Sequence, residues 1–125
     1  MRNILDMLLA PETPNVLKEL PTKQYRVKRL SELYGEAAVL TLKALPYGKV
    51  EELKRSSEGV GIQILLAGVV EPDLRDPRLM EKYGGVTPAE TVKAMFLPGE
   101  IEDISRAVEE LCGYRRSTIE EVKKN

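Results

Sequence analysis

Residues 59–70 read GVGIQILLAGVV, and this stretch decides how the rest of the chain is arranged. Gln63 is its only polar side chain. The run is too short to cross a bilayer, which takes roughly 20 apolar residues, so it must be buried in protein. Periodicity does not separate helix from strand in an unbroken apolar run. Its length, the Leu65-Leu66-Ala67 centre and the Glu71-Pro72 behind it favour helix, because the residue before a Pro is steered away from helical backbone. A helix apolar on every side belongs at the centre of a domain, with other elements packed around it. Gly61, Ala67 and Gly68 would let those neighbours approach closely. Each fully buried Ile, Leu or Val contributes roughly 1.5–3 kcal/mol, which makes this the largest local contribution in the chain.

A chain of 125 residues is one domain by the usual prior and can bury a real core without disulfides or metal. Acids and bases nearly cancel, to a net charge of −1. Bulk electrostatics therefore give no case for nucleic acid or an anionic membrane. The chain has no His and one Cys, Cys112. Without imidazole the usual zinc sets, Ser-His-Asp catalysis and Cys-His catalysis all fall away. A single Cys forms no internal disulfide and fits a reducing cytosol. Cys112 reads as a small core residue. No signal peptide is expected, since Asp6 interrupts the short apolar run near the N-terminus. The protein is expected in the cytoplasm, with no membrane contact.

Outward from the central run, residues 2–10 read as a short amphipathic helix. Ile4, Leu5, Leu8 and Leu9 form its stripe and Pro11 ends it. A tether with Pro11, Pro14 and Pro21 follows, and Val16, Leu17 and Leu20 could pin part of it to the body. Such a helix either docks on a partner as an arm or folds back on its own core; the sequence leaves both open. Residues 24–30 alternate as a strand. Residues 31–35, SELYG, read as a polar turn or single helical turn closed by Gly35. Residues 37–45 form a second strand, with Ala38, Leu40, Leu42 and Ala44 on one face. The two strands should pair as a hairpin whose inner face packs on helices. Lys23, Arg26, Lys28 and Arg29 read as a solvated strand face, because no stacking aromatics or Gly-rich loop accompany them.

Pro46 suits the first position of a helix to about residue 56, with Val50 and Leu53 inward. Asp76 is a natural N-cap with Pro77 behind it, for a helix lined by Leu79, Met80 and Tyr83 and ended by Gly84-Gly85. Glu71, Asp73 and Asp76 lack the spacing of a calcium loop, so capping explains them better. Thr87-Pro88-Ala89-Glu90 is a capping box in which Glu90 should reach back to the Thr87 amide. Val92, Met95 and Phe96 face inward, and Leu97-Pro98-Gly99 breaks the chain. A last helix over residues 100–112 carries Ile101, Ile104, Val108, Leu111 and Cys112, with Gly113 as its C-terminal cap. Residues 114–125 are highly charged, and Ile119 and Val122 could support one helical turn.

These elements predict a mainly α (α+β) fold: a bundle of about five short helices around a buried central helix, with one small β-hairpin near the N-terminal side. They divide the chain into an arm and tether (1–22), a globular body (23–114) and a charged tail (115–125). No catalytic, cofactor-binding or metal-ligating set emerges. The chain reads as a non-enzymatic contact module, with Ile4, Leu5, Leu8 and Leu9 as candidate partner-binding residues.

Residues 65–114, LLAGVVEPDLRDPRLMEKYGGVTPAETVKAMFLPGEIEDISRAVEELCGY, carry an ordered string of motifs. These are Val70-Glu71-Pro72-Asp73-Leu74, Asp76 with Leu79, Tyr83-Gly84, Thr87 with Glu90, Phe96-Leu97-Pro98-Gly99-Glu100, and Glu110 to Tyr114. The string resembles the XkdN-like family of phage tail assembly chaperones, and RLSELYGEAAVLTLKALPYGKVEEL upstream looks like that family's N-terminal half. The resemblance spans about residues 24–114. It implies a helical fold with a small hairpin and a late protein of a long-tailed phage or prophage, active in the bacterial cytoplasm and absent from the mature virion. It further implies partners, the tape measure protein and tail-tube subunits; self-association as a homo-oligomer is a second use that the arm leaves open. It brings no catalytic residues and no cofactor. The alternative is another phage morphogenesis role, such as a head-tail connector subunit. A small DNA-binding regulator is disfavoured by the mixed or acidic outer faces of the helices.

Overall fold

The computed structural model describes residues 3–11, 15–16, 18–55 and 59–123. Among these, seven helices surround a three-stranded antiparallel sheet, a mainly helical α+β fold. At the centre lies α4, Val60–Gly68. Ile64, Leu65 and Leu66 are all buried, so the apolar run is the interior helix its composition demands. The run does not stay helical to Val70. It stops at Gly68, and Val69–Glu71 becomes β3. The helix thus ends before Pro72 can act on it. The β-branched pair Val69-Val70 instead takes the extended backbone it packs well in.

The sheet has order β1-β2-β3. β1, Thr22–Arg26, pairs with β2, Val39–Lys43, from Thr22 opposite Lys43 to Arg26 opposite Val39. β3 adds to the other edge of β2, with Leu42 opposite Val69. The expected two-stranded hairpin therefore gains a third strand. Alternation holds along β2 and one residue beyond it: Leu40, Leu42 and Ala44 are buried, while Val39 is exposed.

Residues 28–30, expected as the end of a strand, join residues 31–34, expected as a polar turn or single helical turn. They form α2, Lys28–Tyr34, so the link between β1 and β2 is a helix and not a tight turn. Lys, Arg, Leu and Glu are good helix formers, and Gly35 at φ 72° supplies the left-handed exit. Ser31 is buried in this helix. Its hydroxyl donates to the Val27 carbonyl at 2.7 Å and accepts from the Ala38 amide at 2.9 Å, tying helix to strand.

Helix α3 is Tyr47–Arg55, with Val50 and Leu53 buried as expected; the expected end at residue 56 lies outside the described residues. Helix α5 is Pro77–Tyr83, capped by Asp76. Tyr83, expected inward, is 39% exposed instead. Helix α6 is Pro88–Met95, with Thr87 as its N-cap. The Glu90 carboxylate accepts from the Val86 amide at 2.9 Å, one residue beyond the amide expected. Helix α7, Pro98–Leu111, begins on the proline read as a break and carries Glu100 in its first turn. Val108 of α7 is fully buried and packs directly on Gly68 of α4. Cys112 behaves as a packing residue at the edge of this core: the Leu45 amide donates to its Sγ at 3.3 Å. The tail beyond α7 holds no helical turn among the described residues, and Ile119 and Val122 lie exposed.

Candidate interaction surfaces

Helix α1, Ile4–Leu9, opens where Asn3 accepts from the Asp6 amide at 2.8 Å. Positions 4, 5, 8 and 9 share one helical face. The four candidate residues are brought together there, and none is covered: Ile4, Leu5, Leu8 and Leu9 are 59–73% exposed. Helix α1 buries no residue at all. Of the residues expected to pin the tether, Val16 is exposed, Leu20 is half-buried and Leu17 lies outside the described residues. The tether meets the sheet at Pro21, whose carbonyl accepts from the Ala44 amide at 2.9 Å.

A second uncovered surface lies on the body. Helices α2, α5 and α6, the end of β2 and the loop after β3 enclose a cleft of about 440 Å³. Its floor holds Val27, Leu40, Leu74 and Phe96, all buried. Its rim holds Leu33, Tyr34, Val39 and Tyr83, all exposed. Leu30, Leu79 and Met95 complete the walls. Tyr34 and Tyr83 carry the two hydroxyls of the rim. Hydrogen bonding with Tyr83 raises the Tyr34 phenol above its ordinary pKa.

Arg29 closes one end of the cleft. The sequence places it on a solvated basic strand face, but the helix turns it toward α6 and α7. Its guanidinium grips Glu100 through two hydrogen bonds, Nε to Oε2 at 3.0 Å and Nη2 to Oε1 at 2.9 Å. The same Nη2 donates to the Met95 carbonyl at 2.9 Å. The planar fork thus joins α2, the end of α6 and the start of α7. The ion pair holds the Glu100 carboxyl below its ordinary range, and that carboxylate also accepts from the Leu97 amide at 2.7 Å. Beyond Arg29 a smaller recess of about 320 Å³ runs between β1 and α7, bordered by Arg26, Lys28 and Asp103.

The other prominent acids have local partners. Asp76 accepts from the Arg78 amide and guanidinium, which hold its carboxyl down at about 2. Asp73 accepts from the Arg75 amide at 3.0 Å. Among the described residues no group of three His, Cys, Asp or Glu side chains is placed to hold a metal ion. No helix among them is long and apolar enough to cross a membrane. What the surface offers is apolar contact area bordered by hydroxyls and one fixed guanidinium.

The cleft was not foreseen. Its one signal was Leu30, Leu33 and Tyr34 at helical spacing, hidden in residues taken for a strand and a turn.

A solved structure described as the crystal structure of the protein yqbn matches this fold with a TM-score of 0.63 at 18% identity. The match covers 91% of this chain and 98% of that one, and at such identity it shows the fold alone. The comparison with curated proteins gives no match. The profile of the phage XkdN-like tail assembly chaperone proteins matches residues 57–124, just over half of the sequence and the part that carries the central helix, α5, α6 and α7. By that match the chain belongs to the phage XkdN-like tail assembly chaperone family.

Proposed function

We propose that this chain is a non-enzymatic chaperone that binds apolar helical segments of the tape measure protein in the cleft between α2, α5 and α6, and helps bring tail-tube subunits to it in the host cytoplasm. The observation that supports this reading is the cleft itself, whose rim residues Leu33, Tyr34, Val39 and Tyr83 all stand uncovered. An amphipathic helix lays anchors spaced three and four residues apart into a groove of this kind. A tape measure is a very long, mostly helical chain with apolar faces that need reversible cover before assembly. The body, residues 23–114, would do the gripping. The arm, residues 1–22, would add contact through Ile4, Leu5, Leu8 and Leu9, and residues 115–125 would form a charged tail.

The test is capture of the co-expressed tape measure protein by the tagged chain. Leu33→Asp places a charge on the rim of the cleft without touching the core, since Leu33 is 67% exposed. Capture should fall by at least tenfold while the circular dichroism spectrum stays unchanged. Undiminished capture by a folded Leu33→Asp chain would remove the cleft from the account. Mass spectrometry of purified virions separates the chaperone from a connector subunit, which would remain in the particle.

A further inference from the structure

We propose that the cleft is occupied, before any client arrives, by α1 of a second copy of this chain, in a reciprocal two-fold exchange of arms. The exchange itself does not depend on the client assignment above; only the idea that a client displaces the arm does.

The arm carries what the cleft lacks. In α1 the side chains of Ile4, Leu5, Leu8 and Leu9 sweep an arc of about 140° at 100° per residue. Asp6, the one charged residue of the helix, falls outside that arc. The cleft presents a buried aliphatic and aromatic floor and an exposed apolar rim. Its only charged lining residue, Arg29, is already engaged by Glu100. An all-apolar stripe therefore enters without burying an unpaired charge.

The arm's attachment and the chain's own cleft stand at opposite ends of the β1–β2 ladder. The arm joins the sheet before Thr22, which lies opposite Lys43. The cleft opens at the other end of the ladder, where Arg26 lies opposite Val39. In its own chain every stripe residue of the arm is more than half exposed. Two copies related by a two-fold axis satisfy both surfaces at once and close the assembly.

The area is sufficient. The four side chains of one arm expose on the order of 300 Å² of apolar surface. Two arms and the smaller area of cleft that each covers remove roughly 900 Å² from water in total, the size of a weak, transient interface. An interface of that size gives a reversible dimer. Such a dimer keeps the cleft covered and leaves it open to a competing helix with a longer apolar stripe.

Sedimentation velocity of the full chain, with no other protein present, tests this. The wild type should pass from monomer to dimer between about 1 µM and about 1 mM. Leu5→Asp/Leu8→Asp, which spoils the arm, and Leu33→Arg, which spoils the cleft rim, should each stay monomeric. An equimolar mixture of these two variants should recover a heterodimer, because it still holds one sound arm and one sound cleft. A wild type that remains monomeric throughout overturns the proposal, as does a dimer insensitive to either substitution. Arm amides protected from exchange in a monomer would also overturn it, by placing the arm in its own cleft. None of these outcomes bears on capture of the tape measure, so the two readings fail separately.

Discussion

Gly68→Ala puts the packing of the central helix to the test. Gly68 is the last residue of α4 and is buried against α7. A Cβ there would stand 2.5 Å from both Val108 methyl carbons and 3.1 Å from the Val108 Cβ. Ordinary carbon contact begins near about 3.5 Å, so the two methyls would each be about 1 Å too close. Val108 is fully buried and has no room to retreat. Overpacking of a filled core costs typically 1–3 kcal/mol, and a double clash belongs at the upper end, near 3 kcal/mol. Replacing Gly by Ala returns at most about 1 kcal/mol of helix propensity, less at a helix end. The net loss should be about 2 kcal/mol, read from urea unfolding followed by circular dichroism. Val108→Ala removes both clashing methyls. On its own it should cost about 2 kcal/mol through the cavity it leaves. Combined with Gly68→Ala it should cost clearly less than the two losses added, with a coupling of about 1–3 kcal/mol. A Gly68→Ala chain as stable as wild type, or strictly additive losses in the double variant, would refute the close α4–α7 crossing on which the fold rests.

Three further outcomes are expected. Deleting residues 1–20 should leave the unfolding midpoint close to wild type, because α1 buries no residue and the deletion spares the Pro21 carbonyl that holds Ala44; calorimetry reads the midpoint. Thr87→Ala should lower stability by about 1 kcal/mol in urea unfolding, because it removes the acceptor for the Glu90 amide at the start of α6. Glu100→Gln should change the acid side of the stability curve. The Glu100 carboxyl is held below its ordinary range by Arg29, so its contribution is complete above the usual Glu value of about 4.3. That contribution is lost as pH falls through the lowered value of the folded state. Wild type should therefore exceed the variant at neutral pH, and the two curves should converge in acid. A gap that persists unchanged into strong acid would show that the ion pair is not its source.

The helical half of the fold was legible because its punctuation is local. Asp76-Pro77 and Thr87-Pro88 cap their own helices, and an all-apolar stretch has nowhere to go but inward. The errors came where a partner outside the window decided. Val69 and Val70 look like the end of an apolar helix until β2 offers them a ladder. Lys28–Tyr34 reads in sequence as the end of a strand followed by a polar turn or single helical turn. Its helical state is settled by Ser31, whose hydroxyl finds Val27 behind it and Ala38 ahead. Neither partner can be inferred from the segment alone.

The same distinction separates the two interaction surfaces. The arm is a single element, so its stripe at positions 4, 5, 8 and 9 could be read directly, and its exposure follows from Pro11 cutting it off. The cleft draws on α2, β2, α5 and α6, and its rim residues come from positions as far apart as Leu33 and Tyr83. Each rim residue looks unremarkable in its own window: a leucine in a turn, a tyrosine near a helix end. They become a surface where Arg29 ties α2 to α6 and α7 through Met95 and Glu100, beside the packing of Leu30 on the core. A polar network at the mouth of the cleft thus helps to set α2 against the other cleft helices. Loosening that network by Glu100→Gln should disturb the cleft before it disturbs the core, since no core side chain is touched. Binding should weaken in that variant at a temperature where the circular dichroism of the folded state is still intact.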